Sequence, residues 1–211
     1  MLNFFKEVFK KGELRRKVVF TLGILFVFRL GAGIVIPYID TSAITSAATS
    51  SGIFGIMNML GGGTLEKFSL FSLGVSPYIT SSIIIELLSM DVIPALAQWN
   101  KEGNTGKKKK DKVTRVLTLA LAIIQGGSLT YAFDKGYSIL ASSSIWTYVY
   151  VVIVMAAGSM FTMWLGDQIT IKGVGNGTSL LIFTGIVANL PNSFISSFKS
   201  MVTFGSAYKT V

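Results

Sequence analysis

Five stretches of the chain, residues 18–36, 70–93, 113–133, 145–165 and 178–198, are apolar enough and long enough to be read as membrane-crossing helices. A helix rising about 1.5 Å per residue needs about 20 apolar residues to cross a hydrocarbon core about 30 Å thick. The first stretch carries Arg29 and ends at Pro37. The second is interrupted by Gly74, Ser76 and Pro77 and carries Glu86 and Asp91, and the fifth is broken by Asn189 and Pro191. The pattern predicts an all-α integral membrane protein with five transmembrane helices. Its organisation would be a basic N-terminus at 1–17, a membrane region at 18–198 with a basic loop at about 94–112, and a tail at 199–211.

Between the first two spans, residues 41–69 are too polar to cross and too apolar for an ordinary solvated loop. The centre of that stretch, Ile53-Phe54-Gly55-Ile56-Met57-Asn58-Met59-Leu60, would make about two helical turns, roughly 12 Å, and cannot span. Gly52 precedes it and Gly61-Gly62-Gly63 follows, so the backbone can hinge on both sides. It fits either an interfacial helix lying on the outer leaflet or a short helix re-entering a protein-lined cavity.

Composition narrows the chemistry. Of the 211 residues, 51% are hydrophobic and only 14% charged, which excludes disorder and disfavours a water-facing fold. With no Cys and no His there is no thiol nucleophile, no disulfide, no imidazole acid or base, and little basis for a zinc site. No acid/base pair at catalytic spacing is visible, so no catalytic residue, metal or cofactor is expected. The net charge of +9 is unevenly placed. Lys6, Lys10, Lys11, Arg15, Arg16 and Lys17 precede the first span, and Lys101, Lys107, Lys108, Lys109, Lys110, Lys112 and Arg115 surround the second connection. Lys172 lies in the fourth, whereas only Lys67, Lys135, Lys199 and Lys209 occupy the other side. The positive-inside rule then puts the N-terminus and the basic loop in the cytoplasm and the C-terminal end outside. The lysine run would also sit against anionic lipid headgroups; it lacks the interleaved aromatics of a nucleic-acid surface. A signal peptide is disfavoured by the length of the first span, by Arg29, and by Pro37-Tyr38 where small residues would be expected.

Two local patterns complete the reading. Gly173, Gly175 and Gly177 superficially suggest a phosphate loop, but the Lys-Ser/Thr that such a loop needs is missing. Asn176-Gly177-Thr178 matches a glycosylation pattern on what would be the cytoplasmic face. Glu86 and Arg29, ionisable groups at membrane depth, should each find a polar partner; a structural hydrogen bond suits Glu86 better than ion conduction, because no chain of acids accompanies it.

Phe28-Arg29-Leu30-Gly31, Ile36-Pro37, Gly74-Val75-Ser76-Pro77-Tyr78-Ile79-Thr80-Ser81-Ser82-Ile83-Ile84-Ile85 and Met163-Trp164-Leu165-Gly166-Asp167-Gln168-Ile169-Thr170 occur in order, followed by Gly175-Asn176-Gly177. Together they resemble the SecY family, the pore subunits of the bacterial protein-translocation channel. The resemblance implies one half of an inverted-repeat channel of ten helices, in the bacterial cell membrane, passing unfolded signal-bearing polypeptides and releasing apolar segments sideways into lipid. It implies a pore ring at Val75, Ile79, Thr178 and Ile182, with Thr178 departing from the aliphatic pattern. It implies a plug at Ile53, Phe54, Ile56, Met57, Asn58, Met59 and Leu60, and a lateral-gate wall at Thr80, Ile83, Ile84, Leu87 and Gln125. The implied partners are SecE-like and SecG-like small membrane subunits, a SecA-type ATPase motor or the ribosome, and a C-terminal SecY half or another copy to cover the exposed pore face. The residues alone leave rivals open: half of a small-solute or ion transporter built around the broken second span and Glu86, a membrane-embedded enzyme, or a structural anchor.

Overall fold

The computed structural model describes residues 12–40, 63–65, 67–90, 92–140 and 144–207. Six helices follow one another: α1 (Gly12–Ala32), α2 (Ser76–Leu88), α3 (Pro94–Lys101), α4 (Asn104–Tyr137), α5 (Ile145–Lys172) and α6 (Gly177–Ala207). There is no β-strand among the described residues, only two isolated bridges, Val35 to Ser69 and Ile39 to Leu140. The five apolar stretches fall on α1, α2, α4, α5 and α6. Of these, α4 and α5 are by themselves long and apolar enough to cross a bilayer. They pack on each other at the centre, with α2 and α3 against α4, and α1 and α6 against α5.

The second span differs most from its sequence reading. Helix forms over only 13 residues, about 20 Å, where 24 had been expected. The cause is local: Gly74 takes φ +54°, a conformation costly for any residue with a Cβ, and Pro77 sits in the first turn, where its missing N–H loses nothing. Upstream, the described residues 64–65 and 67–75 lie in turns inside the protein, with Leu65, Phe68 and Phe71 almost completely buried. This segment is stitched to the end of α1 by Ile36 N–H to Phe68 C=O (3.1 Å) and Leu70 N–H to Ile34 C=O (2.8 Å). Irregular backbone is tolerated at this depth because protein surrounds it and satisfies it.

The expected loop at 94–112 is instead helical, comprising α3 and the first turns of α4. Pro94 opens α3, and Gly103, at φ +62°, reverses the chain so that α4 starts at once. The lysines at 107–110 lie on α4, for lysine is a good helix former whatever its charge. At the far end, α6 continues past Phe198 to Ala207 with Pro191 inside it. That proline forfeits one intrahelical hydrogen bond without ending the helix, a loss that membrane helices commonly absorb.

Two apolar clusters hold the bundle. One gathers Ile36, Leu65, Phe68, Leu73, Phe133, Ile139, Val151 and Met155 between α4, α5 and the connecting segments. The other gathers Phe28, Phe71, Val75, Leu165, Ile169 and Leu181 where α1, α5 and α6 meet. Phe71 stacks on Phe28 (ring centroids 5.5 Å) and on Phe161 (6.0 Å), pinning the non-helical segment from both sides. Close backbone approach makes this possible. A Cβ at Gly158 would collide with the Leu70 carbonyl, and one at Gly177 with the Gly166 carbonyl. Buried threonines return their hydroxyls to the helix, Thr118 to Thr114 C=O (2.7 Å) and Thr162 to Gly158 C=O (2.9 Å). Large apolar side chains such as Leu22, Phe26, Trp146 and Ile153 remain exposed on the outside of the bundle, as a lipid-facing surface requires.

Candidate functional site

Two cavities meet along α2 and α6. The first, of about 710 Å³, is walled by Val75, Ile79, Leu181 and Ile182, with Phe28, Leu73, Ile124 and Leu129 around them and Ser72, Ser76, Thr80, Gln125 and Ser128 as its polar contributors. The second, of about 550 Å³, is walled by Tyr78, Ser82, Glu86, Lys107, Lys110, Asp111, Arg115, Asp167, Thr170 and Thr178. The divide crosses both helices. On α2, Val75, Ser76, Ile79 and Thr80 line the apolar cavity and Tyr78, Ser82 and Glu86 the polar one, so the two faces overlap at Tyr78; on α6 the divide falls between Thr178 and Leu181. Because α2 runs toward the lysine-bearing end of α4 and α6 runs away from it, an antiparallel pair carries apolar residues at one level and polar residues at the other.

The apolar side owes its character to position more than to an absence of polar atoms. The Thr80 hydroxyl is spent on Ser76 C=O (3.1 Å), the intrahelical bond that lets a threonine offer its methyl group outward. Ser159 of α5 donates to Gly74 C=O (3.2 Å), tying the start of α2 to the bundle and satisfying a carbonyl that the turn leaves free. Val75 is buried and Leu181 wholly so, while Ile79 and Ile182 are half-buried against them.

The polar side is organised by charge. Arg115 bonds Asp167 (2.8 Å), joining α4 to α5, and Lys110 bonds Glu86 (3.2 Å), joining α4 to α2. Deeper along the α2–α4 contact, the hydroxyls of Ser81 and Thr118 share a buried hydrogen bond of 2.5 Å. At the start of α6, the Gly177 N–H donates to Thr170 Oγ1 (2.9 Å) and the Ser179 N–H to Asn176 Oδ1 (3.2 Å), satisfying helix-terminal donors. The connector behind them is held to α1 by Val174 N–H to Thr21 Oγ1 (3.1 Å).

The residues expected to form the pore ring therefore divide. Val75, Ile79 and Ile182 line one apolar cavity, whereas Thr178, one turn before Ile182, lines the polar cavity beside Gly166. Its departure from the aliphatic pattern matches that surrounding. Of the expected lateral-gate residues, Thr80 and Gln125 line the apolar cavity; Ile83 and Leu87 are more than half exposed on the outside of α2, and Ile84 is half-buried. The expected plug, Ile53 to Leu60, lies outside the described residues. Leu181 was missed, although one helical step from Ile182 places it against the same wall. Arg115 and Asp167 were quoted within larger patterns and not as a pair; a separation of 52 residues gives no local signal. No cluster of three or more potential metal ligands occurs among the described residues.

A model of the SecY family matches residues 69–210. The chain belongs to the SecY family. Protein translocase subunit SecY 1 of Lactobacillus kefiranofaciens subsp. kefiranofaciens is 43% identical over 98% of this chain and 48% of its own length. Protein translocase subunit SecY of Bacillus subtilis (strain 168) is 40% identical over the whole of this chain and 47% of its own. The chain thus spans about half the length of the curated relatives it matches. Among solved structures, Sec61 in the canine ribosome-channel complex from the endoplasmic reticulum superposes with a TM-score of 0.56 at 18% identity, over 81% of this chain and 36% of that one. A structure described as that of a protein conducting channel superposes equally well. At that identity the superpositions speak to fold: the all-α half-channel architecture of SecY is the architecture of this chain.

Proposed function

We propose that this SecY-family chain forms the N-terminal half of the pore subunit of a Sec-type translocon. It conducts unfolded, signal-bearing polypeptides across the bacterial cell membrane and lets apolar segments leave sideways into lipid. The observation that carries the reading is the apolar cavity whose wall brings together Val75 and Ile79 of the second span with Leu181 and Ile182 of the fifth. A narrow aliphatic collar dewets and so resists ions, yet it forms no hydrogen bond that would select one polypeptide over another. Thr80 and Gln125, on the flank of that cavity, would contribute to the lateral exit, together with Ile83, Ile84 and Leu87 on the outer side of α2.

In this reading the lysine-bearing end faces the cytoplasm, the N-terminus lies there too, and the polar cavity is the cytoplasmic mouth. Ile53 to Leu60 serves as the plug of the opposite side. A C-terminal half, or another copy, completes the collar, and SecE-like and SecG-like subunits brace it. A SecA-type motor or the ribosome supplies the driving force, and anionic lipids meet the lysines. The chain itself acts as a conduit with no reaction of its own. Glu86, the residue that motivated a solute-transporter reading, is paired with Lys110 and lies outside the apolar cavity, which disfavours that rival.

The test replaces Val75 and Ile79 together by glycine in the assembled channel and measures resting ion conductance across the membrane. The expected result is a raised leak with polypeptide transport retained. An unchanged leak overturns the assignment of these side chains to the collar.

A further inference from the structure

We infer that Lys110 is a positioning residue that fixes the cytoplasmic end of α2 and thereby the width of the polar cavity, a role its lysine neighbours do not share. By composition the lysines at 107–110 are equivalent, a charge run suited to orienting the chain and meeting anionic headgroups. In the structure they are not. The side chain of Lys110 is only 18% exposed, while Lys107, Lys108 and Lys109 are exposed. Lys109 turns away to Glu102 (2.8 Å), within the α3–α4 hairpin.

Lys110 stands at the junction of three helices. Its ammonium donates to Glu86 Oε2 on α2 (3.2 Å) and to Asn100 Oδ1 on α3 (3.4 Å). Asn100 in turn donates through Nδ2 to the carbonyl of Ser89, the C-cap of α2 (3.1 Å), and Ser89 returns its hydroxyl to Glu86 C=O (2.8 Å). The last turn of α2 contains no basic residue of its own, although the partial negative charge of its terminal carbonyls favours one. Lys110 supplies that charge from α4. The other fixed point of α2 on α4 is the Ser81–Thr118 hydrogen bond, two turns back. Without Lys110, the stretch of α2 beyond Ser81 keeps the Asn100 bond to Ser89 and the packing of buried Ile85, but loses its one ion pair and leaves the carboxylate of Glu86 unpaired at the cavity wall.

The experiment reads the cavity rather than transport. Ser82 lines it, and this sequence contains no cysteine, so a Ser82→Cys label site stands alone on it. In the full-length chain assembled in membranes, the rate of alkylation of that cysteine by a membrane-impermeant maleimide is measured from the cytoplasmic side. Lys110→Met is expected to raise the rate about threefold, the scale of a partly exposed ion pair; Lys108→Met is expected to leave it unchanged. The charge-swapped pair Lys110→Glu with Glu86→Lys should return it toward the parent rate, which a loss of packing alone would not do. Should Lys110→Met fail to accumulate, Lys110→Gln, which keeps donors for Glu86 and Asn100, is expected to give a smaller increase than the threefold. A parent rate in Lys110→Met (or in Lys110→Gln where it stands in), an equal change in Lys108→Met, or no recovery in the swapped pair overturns the inference. The inference rests on the proposed reading only for the side from which the cavity opens. Labelling from the outer side counts against that orientation, and the comparison between variants is then read from there.

Discussion

The apolar and polar cavities share two helices, α2 and α6, and along them the chemistry of the wall reverses within about one helical turn. On the apolar side, the hydroxyls of Ser72, Thr80 and Ser159 are spent on backbone carbonyls and aliphatic side chains supply most of the wall. On the polar side, every helix that reaches the cavity offers a charge, a hydroxyl or an amide, and charges of opposite sign are paired across helices. Neither arrangement would survive exchange with the other. An unpaired carboxylate beside Val75 and Ile79 would be costly to bury, whereas aliphatic residues in place of Arg115 and Asp167 would leave the polar cavity with a dry wall. Solvation is therefore set by axial level, and what holds the two levels apart is the close contact of α5 with α6 and of α5 with the turn segment before α2.

The comparison breaks most completely where that contact is removed. Gly177 begins α6 against the Gly166 carbonyl and the Ile169 side chain, so even one methyl group forces the helices apart. Gly177→Ala is expected to destabilise the fold by about 2–3 kcal/mol, the cost of overpacking where the obstruction is backbone and cannot rotate away. Thermal denaturation of the full-length protein in mild detergent measures it. A melting temperature equal to that of the parent would mean that α5 and α6 are not in contact at this level.

The next effect separates Thr178 from Ile182. These two lie four residues apart on one face of α6 but line different cavities. Ile182→Thr is expected to raise resting ion leak through the assembled channel severalfold, because it places a hydroxyl in the apolar wall; Thr178→Val should leave leak at the parent level. Conductance of membranes containing each variant decides the matter. Equal leak from both variants would erase the boundary drawn between the two positions.

Much of this could be seen in the chain, and the reasons it stopped where it did are physical. The five apolar stretches were legible because crossing a hydrocarbon core imposes a length that composition reveals directly. The interruption of the second stretch was legible in Gly74 and Pro77. That the residues before it would be buried as turns was not, because burial there depends on Phe28 and Phe161, which come from helices far apart in sequence. The helicity of 94–112 was hidden by lysines, whose charge suggested a loop while their helix propensity argued otherwise. At the site, aliphatic residues at 75, 79 and 182 were found by resemblance. Thr178 was named with them by the same resemblance, which matches positions and says nothing of the cavity each side chain lines. The ion pairs from Lys110 to Glu86 and from Arg115 to Asp167 span 24 and 52 residues and had no local signature.

The smallest effect, and the one that most sharpens the contrast, concerns Arg115 and Asp167. Their side chains are 54% and 25% exposed, so solvent screens the pair. A double-mutant cycle with Arg115→Met and Asp167→Leu is expected to give a coupling of only about 0.5 kcal/mol in thermal stability. Removing Arg115 alone should cost more than removing Asp167 alone, because it strands the less exposed member of the pair with its charge. The doubly substituted protein should be nearly as stable as the parent, since two apolar side chains of similar reach can fill the same space. It should nonetheless transport poorly, because the mouth would then be as dry as the collar beyond it. Parent-level transport by that variant, measured alongside its unchanged stability, would show that water at this level is dispensable and that the two cavities differ in composition without differing in what they do.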